Sequence, residues 1–146
     1  MTDGLAPAIA SAQARAQAHA PFLRGLLRRE PELLETIQRG SFATALAQSI
    51  ARLDPANPAA TLRAARDGVA LVTALADLSA TWSLEQVTRA LSDFADVALD
   101  FAITAAFAER DVQPAGLSAL ALGKMGSREL NYSSDVDLIL DRKSVV

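Results

Sequence analysis

Two aspartates near the C-terminal end of the chain, Asp135 and Asp137, are separated by one residue. Acidic and apolar residues alternate over 135–140, which predicts a β-strand. Residues two apart on a strand project from the same face, so the two carboxylates would lie together. They would repel each other unless a cation lay between them, and oxygen ligands of this kind suit Mg²⁺. The pair therefore predicts a Mg²⁺ site, although an isolated Asp-x-Asp is more often a solvated strand end.

A glycine-rich segment precedes the aspartates. Gly-Lys-Met-Gly over 123–126 predicts a turn, and residues 127–130 predict one turn of helix. Gly126 and Ser127 would then lie at a helix start, where free backbone N–H groups hold phosphate oxygens. A phosphate-binding turn beside a metal pair is the arrangement of two-metal phosphoryl or nucleotidyl transfer.

The elements that position these residues are mostly helical. Alanine and leucine, the strongest helix formers, make up more than a third of the chain. Prolines that begin helices and glycines that end them divide the first 110 residues. The helices are predicted at 5–20, 22–29, 32–39, 42–53, 58–80 and 84–109. An apolar run over 117–122 predicts a first strand, so the order that follows is strand, turn, short helix, strand. The predicted fold class is α+β: a helical region over 1–110, then the start of a second, incomplete domain over 115–140.

The last helix carries the clearest pattern. Ser83 and Gln86 have the spacing of a capping box. Apolar residues then recur at alternating steps of three and four, which predicts a seam packed along the antiparallel 58–80 helix. A partner-binding groove is the functional alternative, but the core of a helical bundle is favoured. The seam residues are Leu84, Val87, Leu91, Phe94, Ala98, Phe101 and Ala105.

Composition excludes several classes of protein. The net charge is −3, so no excess of positive charge is available to bind nucleic acid. The chain has no cysteine and one histidine, which excludes disulfide scaffolds, thiol catalysis and histidine-pair metal sites. No uncharged apolar run reaches the roughly 18–20 residues of a membrane span, and the N-terminus has no signal-peptide pattern. A cytoplasmic protein that does not bind membranes is expected.

The residues between the glycines and the aspartates carry a resemblance to a known family. Gly-Lys-Met-Gly-Ser-Arg-Glu-Leu-Asn-Tyr-Ser-Ser-Asp-Val-Asp-Leu, residues 123–138, closely resembles a motif of glutamine synthetase adenylyltransferases. The family pattern is approximately Gly-Lys-Leu-Gly-Gly-Arg-Glu-Leu-Asn-x-Ser-Ser-Asp-Ile-Asp-Leu, from which Met125 and Ser127 are the main departures. The order of elements also resembles the polymerase β-like nucleotidyltransferases.

This resemblance implies an enzyme with two nucleotidyltransferase domains. The N-terminal domain uses phosphate to release ADP from an adenylylated tyrosine of glutamine synthetase, and the C-terminal domain adds AMP from ATP. An Asp-x-Asp after about 130 residues is typical of the N-terminal, adenylyl-removing half. The partners implied are glutamine synthetase, phosphate, ADP or ATP, and the PII signalling protein.

The resemblance also implies roles for individual residues. Asp135 and Asp137 would hold catalytic Mg²⁺, and Gly126 and Ser127 would contact phosphate. Lys124 and Arg128 would neutralise phosphate charge, although a solvated surface charge explains each of them equally well. Glu129, Asn131 and Tyr132 would fix the short helix and its turn, and Ser133 and Ser134 would cap the turn into the strand.

The C-terminal end raises two further expectations. The superfamily uses a third carboxylate from a later strand, so the chain by itself is expected to be inactive. The hexapeptide Asp-Arg-Lys-Ser-Val-Val matches one reading frame of a common sequencing adapter, which predicts that residues 141–146 are a non-native tail. Another polymerase β-like transferase and a non-catalytic helical interaction module remain as alternative functions.

Overall fold

The helical part of the chain follows the sequence pattern closely. The computed structural model describes residues 4–112 and 116–142. Within 4–112 it contains six helices and no strand, and the predicted helix positions are confirmed with ends shifted by up to three residues. The helices are α1 (Leu5–His19), α2 (Pro21–Arg29), α3 (Pro31–Gln38), α4 (Phe42–Ile50), α5 (Pro58–Leu78) and α6 (Leu84–Ala108). None of the helices described is long and apolar enough to cross a bilayer.

Local signals set the helix boundaries. Gly40 ends α3 with a φ of +78°, and its N–H donates to the carbonyl of Ile37. The predicted capping box is confirmed, because the N–H of Gln86 donates to Ser83 Oγ and the N–H of Ser83 donates to Gln86 Oε1. Ser41 and Asn57 are the N-cap residues of α4 and α5, but neither side chain accepts a hydrogen bond there.

Two groups of buried side chains hold the helices together. The larger group lies where α1 to α4 pack on the second half of α5, and Trp82 packs against it with its ring centroid 6.0 Å from that of Phe42. The smaller group joins Ala65 and Val69 of α5 to Phe94 of α6. The main buried residues of the larger group are Ile9, Leu26, Leu33, Ile37, Phe42, Leu71, Val72 and Leu75.

The predicted pairing of α5 with α6 is confirmed, with one correction to the seam. Val87 and Phe94 are buried, and Leu91 and Ala98 pack beside them. Leu84 is 75% exposed, so its assignment to the seam is wrong. It lies in the first turn of α6, whereas α5 has already ended at Leu78, and the buried seam begins at Val87.

The C-terminal part is a two-stranded antiparallel sheet interrupted by one helical turn. The sheet pairs β1 (Leu117–Ala121) with β2 (Leu138–Arg142), in a register that sets Ala121 opposite Leu138. The helical turn α7 spans Gly123–Gly126. The order of strand, helical turn and strand is as predicted, and the fold class is α+β. Lys143 to Val146, most of the predicted non-native tail, lie outside the described residues, whereas Asp141 and Arg142 pair with β1.

Two predicted boundaries in this part are wrong. The second strand begins at Leu138 rather than Asp135, because Leu138 pairs with Ala121, the last residue of β1, and beyond this pair a single hydrogen bond joins Leu122 to Asp137. The helical turn lies at 123–126 rather than 127–130, because this position buries Met125, which is 3% exposed. Tertiary packing thus overrides the low helix propensity of two glycines.

Candidate functional site

The two glycines of α7 allow a close approach between the turn, β1 and Asp137. Gly123 has a φ of +54°, and a Cβ there would lie 3.3 Å from Asp137 Oδ2. A Cβ on Gly126 would lie 2.7 Å from the backbone oxygen of Ala121. Glycine is therefore required at both positions, at the first for its backbone conformation and at the second for space. The result is a carboxylate held against the start of a tightly packed turn.

Gly126 and Ser127 lie at the end of α7, so their predicted position at a helix start is wrong. The N–H of Gly126 donates to the carbonyl of Leu122 and that of Ser127 to the carbonyl of Gly123, so both groups are bonded within the turn. The Ser127 hydroxyl donates to Glu129 Oε2 at 3.1 Å. A role for the pair in binding phosphate stays a prediction.

Asp135 and Asp137 are both exposed and precede β2. The carbonyl of Asp137 accepts a hydrogen bond of 2.9 Å from the N–H of Leu122, which extends the ladder by one residue pair. Asp135 lies two residues earlier in irregular backbone, so the prediction that both occupy one strand is wrong. Among the described residues, no three acidic or histidine side chains converge on a common point.

The donor chemistry of this pair fits Mg²⁺. Carboxylate oxygens are hard ligands, and Mg²⁺ in proteins commonly binds one or two carboxylates together with substrate phosphates and water. Both carboxylates are open to solvent, so such a cation would retain space for further ligands.

Arg128 ends α7 in an uncommon backbone conformation. Its φ is +60°, its N–H donates to the carbonyl of Met125, and the following N–H of Glu129 donates to the carbonyl of Lys124 at 2.8 Å. These two bonds form the Schellman arrangement, in which the residue after the cap is left-handed and most often glycine. The left-handed backbone conformation is energetically less favourable for arginine than for glycine.

The Arg128 side chain faces the helical part of the protein. Its guanidinium forms ion pairs with Asp93 and Asp96 of α6, the latter through Nη2 at 3.1 Å. Lys124, by contrast, is exposed and has no ion pair among the described residues. Of the two cations predicted to neutralise phosphate, one is engaged by carboxylates and the other is open to solvent.

Residues Arg128 to Tyr132, which we call the docking strip, lie along α5 and α6. Leu130 is 5% exposed, and its N–H donates to Ser92 Oγ at 3.3 Å. The Tyr132 hydroxyl donates to Asp77 Oδ2 at 3.3 Å. Burial, and then the nearby charge of Asp77, raises the pKa of Tyr132 above its ordinary value.

A compact turn links the docking strip to the aspartates. Asn131 Oδ1 accepts hydrogen bonds from the N–H of Ser133 at 3.0 Å and from Ser134 Oγ at 2.9 Å. The N–H of Asn131 in turn donates to Ser134 Oγ at 3.0 Å. Asn131 fixes a turn, as predicted, but this turn spans 131–134 and not the predicted short helix. Ser134 closes the same turn rather than capping the strand, which begins only at Leu138. Tyr132 instead reaches the helical part.

The acidic and hydroxyl partners on the helices were missed by sequence reasoning. They are Asp77, Ser92, Asp93 and Asp96, and 32 to 55 residues separate them from their partners in the docking strip. One signal was present, because Ser92 is a polar residue beside the apolar seam of α6 and is only 1% exposed.

A groove of about 880 Å³ is lined by α1, α2, α5 and α6 and by residues 131–133 at the end of the docking strip. Its floor includes Val69, Leu91 and Phe94, and Tyr132 stands at one side. The exposed His19 is among its lining residues.

Comparisons with known proteins identify related sequences. The family described as glutamate-ammonia ligase adenylyltransferase matches residues 10–144. The chain is 36% identical over 82% of its length to the bifunctional glutamine synthetase adenylyltransferase/adenylyl-removing enzyme of Bradyrhizobium sp. (strain ORS 278). It is 39% identical over 81% of its length to the enzyme of that name from Rhodopseudomonas palustris (strain BisB5). The one from Caulobacter vibrioides is 36% identical over 82% of the chain.

The match covers a small part of each relative. The chain spans 14% of the Bradyrhizobium protein and 13% of the Rhodopseudomonas protein. No solved structure matches the chain.

Proposed function

Because the chain belongs to the glutamate-ammonia ligase adenylyltransferase family, we propose that it forms the first part of the adenylyl-removing half of a bifunctional enzyme. In this half, phosphate releases ADP from the adenylylated tyrosine of glutamine synthetase. The observation that carries the proposal is the position of Asp137, whose carboxylate lies against Gly123 at the start of a turn packed on β1. This is the layout expected when a carboxylate-bound cation and a phosphate-binding turn adjoin each other.

Asp135 and Asp137 are the proposed ligands of Mg²⁺. The cation, when bound, would supply positive charge to the oxygens of the transferred phosphoryl group. The two carboxylates would hold it beside α7, and Asp137 is fixed there by the hydrogen bond from Leu122 to its backbone. Further oxygen ligands would come from substrate phosphate and water.

The proposed phosphate contacts come from α7 and the residue after it. Lys124 is exposed and unpaired among the described residues, so its ammonium group is available to a phosphate oxygen. The Ser127 hydroxyl is a second candidate if it exchanges its bond to Glu129 for one to phosphate. Gly126 is exposed beside Ser127 and is the remaining proposed contact to phosphate. Arg128 contributes positive charge nearby, although Asp93 and Asp96 offset it.

The proposed partners follow from this activity. They are adenylylated glutamine synthetase, phosphate and ADP as reactant and product, ATP for the companion reaction, and a PII protein as regulator. The proposed location is the cytoplasm, where glutamine synthetase and nucleotides are available. The 146-residue chain alone is proposed to be inactive, since the described residues supply two carboxylates and no third.

The test uses a longer protein of the family that carries this chain. Asp137→Asn should reduce phosphate-dependent release of ADP from adenylylated glutamine synthetase by at least about a hundredfold, while addition of AMP from ATP stays within about twofold of wild type. Neutralising the carboxylate removes one ligand and half of the charge that offsets the cation. Asp100→Asn, the same chemical change at an exposed residue of α6, is the matched control and should leave both reactions unchanged. Loss of AMP addition alone would assign this chain to the other half.

A further inference from the structure

The docking strip is the covalent link between α7 and the aspartate pair. It begins at Arg128, one residue beyond the end of α7, and the turn that follows it ends at Ser134, directly before Asp135. The position of the strip on the helices therefore restricts where the aspartate pair can lie.

The strip is fixed to α6 at two successive points. Arg128 pairs through its two η nitrogens with Asp93 and Asp96, which lie three residues apart on one face of the helix. Leu130 follows with its side chain buried and its N–H bonded to Ser92 Oγ. Ser92 is itself only 1% exposed and donates to the carbonyl of Thr88 at 2.9 Å.

A third contact comes from α5, where Asp77 accepts a hydrogen bond from the Tyr132 hydroxyl. Alternate residues of the strip, 128, 130 and 132, thus contact the helices.

We propose that Ser92, Asp93 and Asp96 are positioning residues of the adenylyl-removing site, which act by holding the docking strip so that Asp137 stays against α7. This inference rests on the proposed function for its catalytic consequence. The other part of the proposal, which we call the mechanical part, concerns only this chain. It is that release of Arg128 from α6 loosens both the Leu130–Ser92 contact and the Leu122–Asp137 hydrogen bond.

The same geometry assigns Arg128 a tethering role in place of direct phosphate contact. Both ends of its guanidinium are engaged by carboxylates, and its left-handed backbone directs the chain from α7 onto α6. A phosphate ligand would be expected to lose affinity for phosphate when mutated. A tether would be expected to lose turnover, and the loss should be reproduced by mutating its partners.

The first experiment measures amide hydrogen exchange by NMR in the 146-residue chain. In the double variant Asp93→Asn/Asp96→Asn, the amides of Leu130 and Leu122 should exchange about fivefold faster, as expected for the loss of two half-exposed ion pairs. The amide of Val72, in the helical core, should be unaffected. Asp100→Asn lies one turn further along α6, forms no ion pair among the described residues, and should change none of the three.

Two results would overturn the mechanical part. Unchanged exchange at Leu130 would mean that the ion pairs do not hold the strip. Faster exchange at Leu130 with an unchanged rate at Leu122 would mean that the strip is held but does not position Asp137.

The second experiment measures phosphate-dependent release of ADP in a longer protein carrying the chain. Asp93→Asn/Asp96→Asn should lower kcat about tenfold or more with KM for phosphate within about twofold, since misplacement of a catalytic group affects turnover. Arg128→Ala should show the same pattern. A raised KM for phosphate in Arg128→Ala, with normal kinetics in the aspartate variant, would overturn the tethering role.

The two proposals fail in distinguishable ways. If the wild-type longer protein adds AMP but releases no ADP, the proposed function is wrong, while the exchange experiment still decides whether the strip positions Asp137. If ADP release is normal in both variants, the positioning role is wrong and the proposed function stands.

Discussion

Gly126 offers the sharpest test of how α7 is seated on the sheet. Replacing it by alanine would place a Cβ 2.7 Å from the backbone oxygen of Ala121 and 3.3 Å from its carbon. The first distance is about 0.7 Å shorter than the 3.4 Å at which ordinary contact begins. Since the opposing atoms belong to the backbone, no side-chain rotation can relieve the clash, and α7 must move away from β1.

The expected cost follows from two opposing effects. Overpacking of this kind costs about 1–3 kcal/mol. Alanine recovers at most about 1 kcal/mol through its higher helix propensity. The net expectation for Gly126→Ala is a loss of about 1–2 kcal/mol, confined to the sheet and α7.

Two probes separate this local loss from global destabilisation. Amide exchange at Leu122 should be about 5- to 30-fold faster, which corresponds to the predicted free-energy change. The urea midpoint followed by Trp82 fluorescence should not move, because Trp82 packs against the core of α1 to α5.

Gly25→Ala is the matched control for this substitution. Gly25 lies inside α2, and the nearest atom to a new Cβ would be Arg29 Nη1 at 3.7 Å. The same chemical change should therefore raise the Trp82 midpoint by about 0.5–1 kcal/mol in free energy. If Gly126→Ala leaves Leu122 exchange unchanged, or lowers the Trp82 midpoint, the packing of α7 described above is incorrect.

Three further predictions concern the core, the strip and the metal. Phe94→Asp should destabilise the helical part by at least about 3 kcal/mol in urea unfolding, because Phe94 is 8% exposed and packs on Val69; an unchanged midpoint would mean that the seam is open. Tyr132, the only tyrosine, should titrate above its usual pH in an absorbance measurement. Because its pKa is raised in the folded state, the contribution of Tyr132 to folding stability should be fully present below about pH 10 and be lost as the pH rises further; an ordinary titration near pH 10 would contradict its partial desolvation and its contact with Asp77. Calorimetry should give a millimolar-order dissociation constant for Mg²⁺, since two exposed carboxylates displace little of its water, and micromolar binding would contradict this reasoning.

The helices were predictable because residues close to each helix end determine where the helix begins or ends. Proline at 21, 31 and 58 begins α2, α3 and α5, Gly40 ends α3, and Ser83 with Gln86 caps α6, the longest helix. Each signal acts within a few residues, so sequence alone locates it.

The site was predictable in composition but not in geometry. The glycines and aspartates were identified from their spacing, whereas the start of β2 depends on how many partners β1 offers, and the position of α7 depends on the burial of Met125. Contacts of the docking strip join residues 32 to 55 apart in sequence. No periodic sequence pattern indicates such pairs, because each pair depends on how α5, α6 and the docking strip pack together in three dimensions.

The two strands of the sheet have a consequence for the behaviour of the chain at high concentration. In the part of the chain that the structure describes, β1 and β2 hydrogen-bond only to each other, so the outer edge of each strand presents unpaired backbone groups. Leu120, Ile139 and Leu140 are each about half exposed on these strands. Open edges with apolar side chains are templates for strand addition and aggregation. A charged residue at position 120 or 139 should therefore raise the solubility of the purified chain without disturbing its helices.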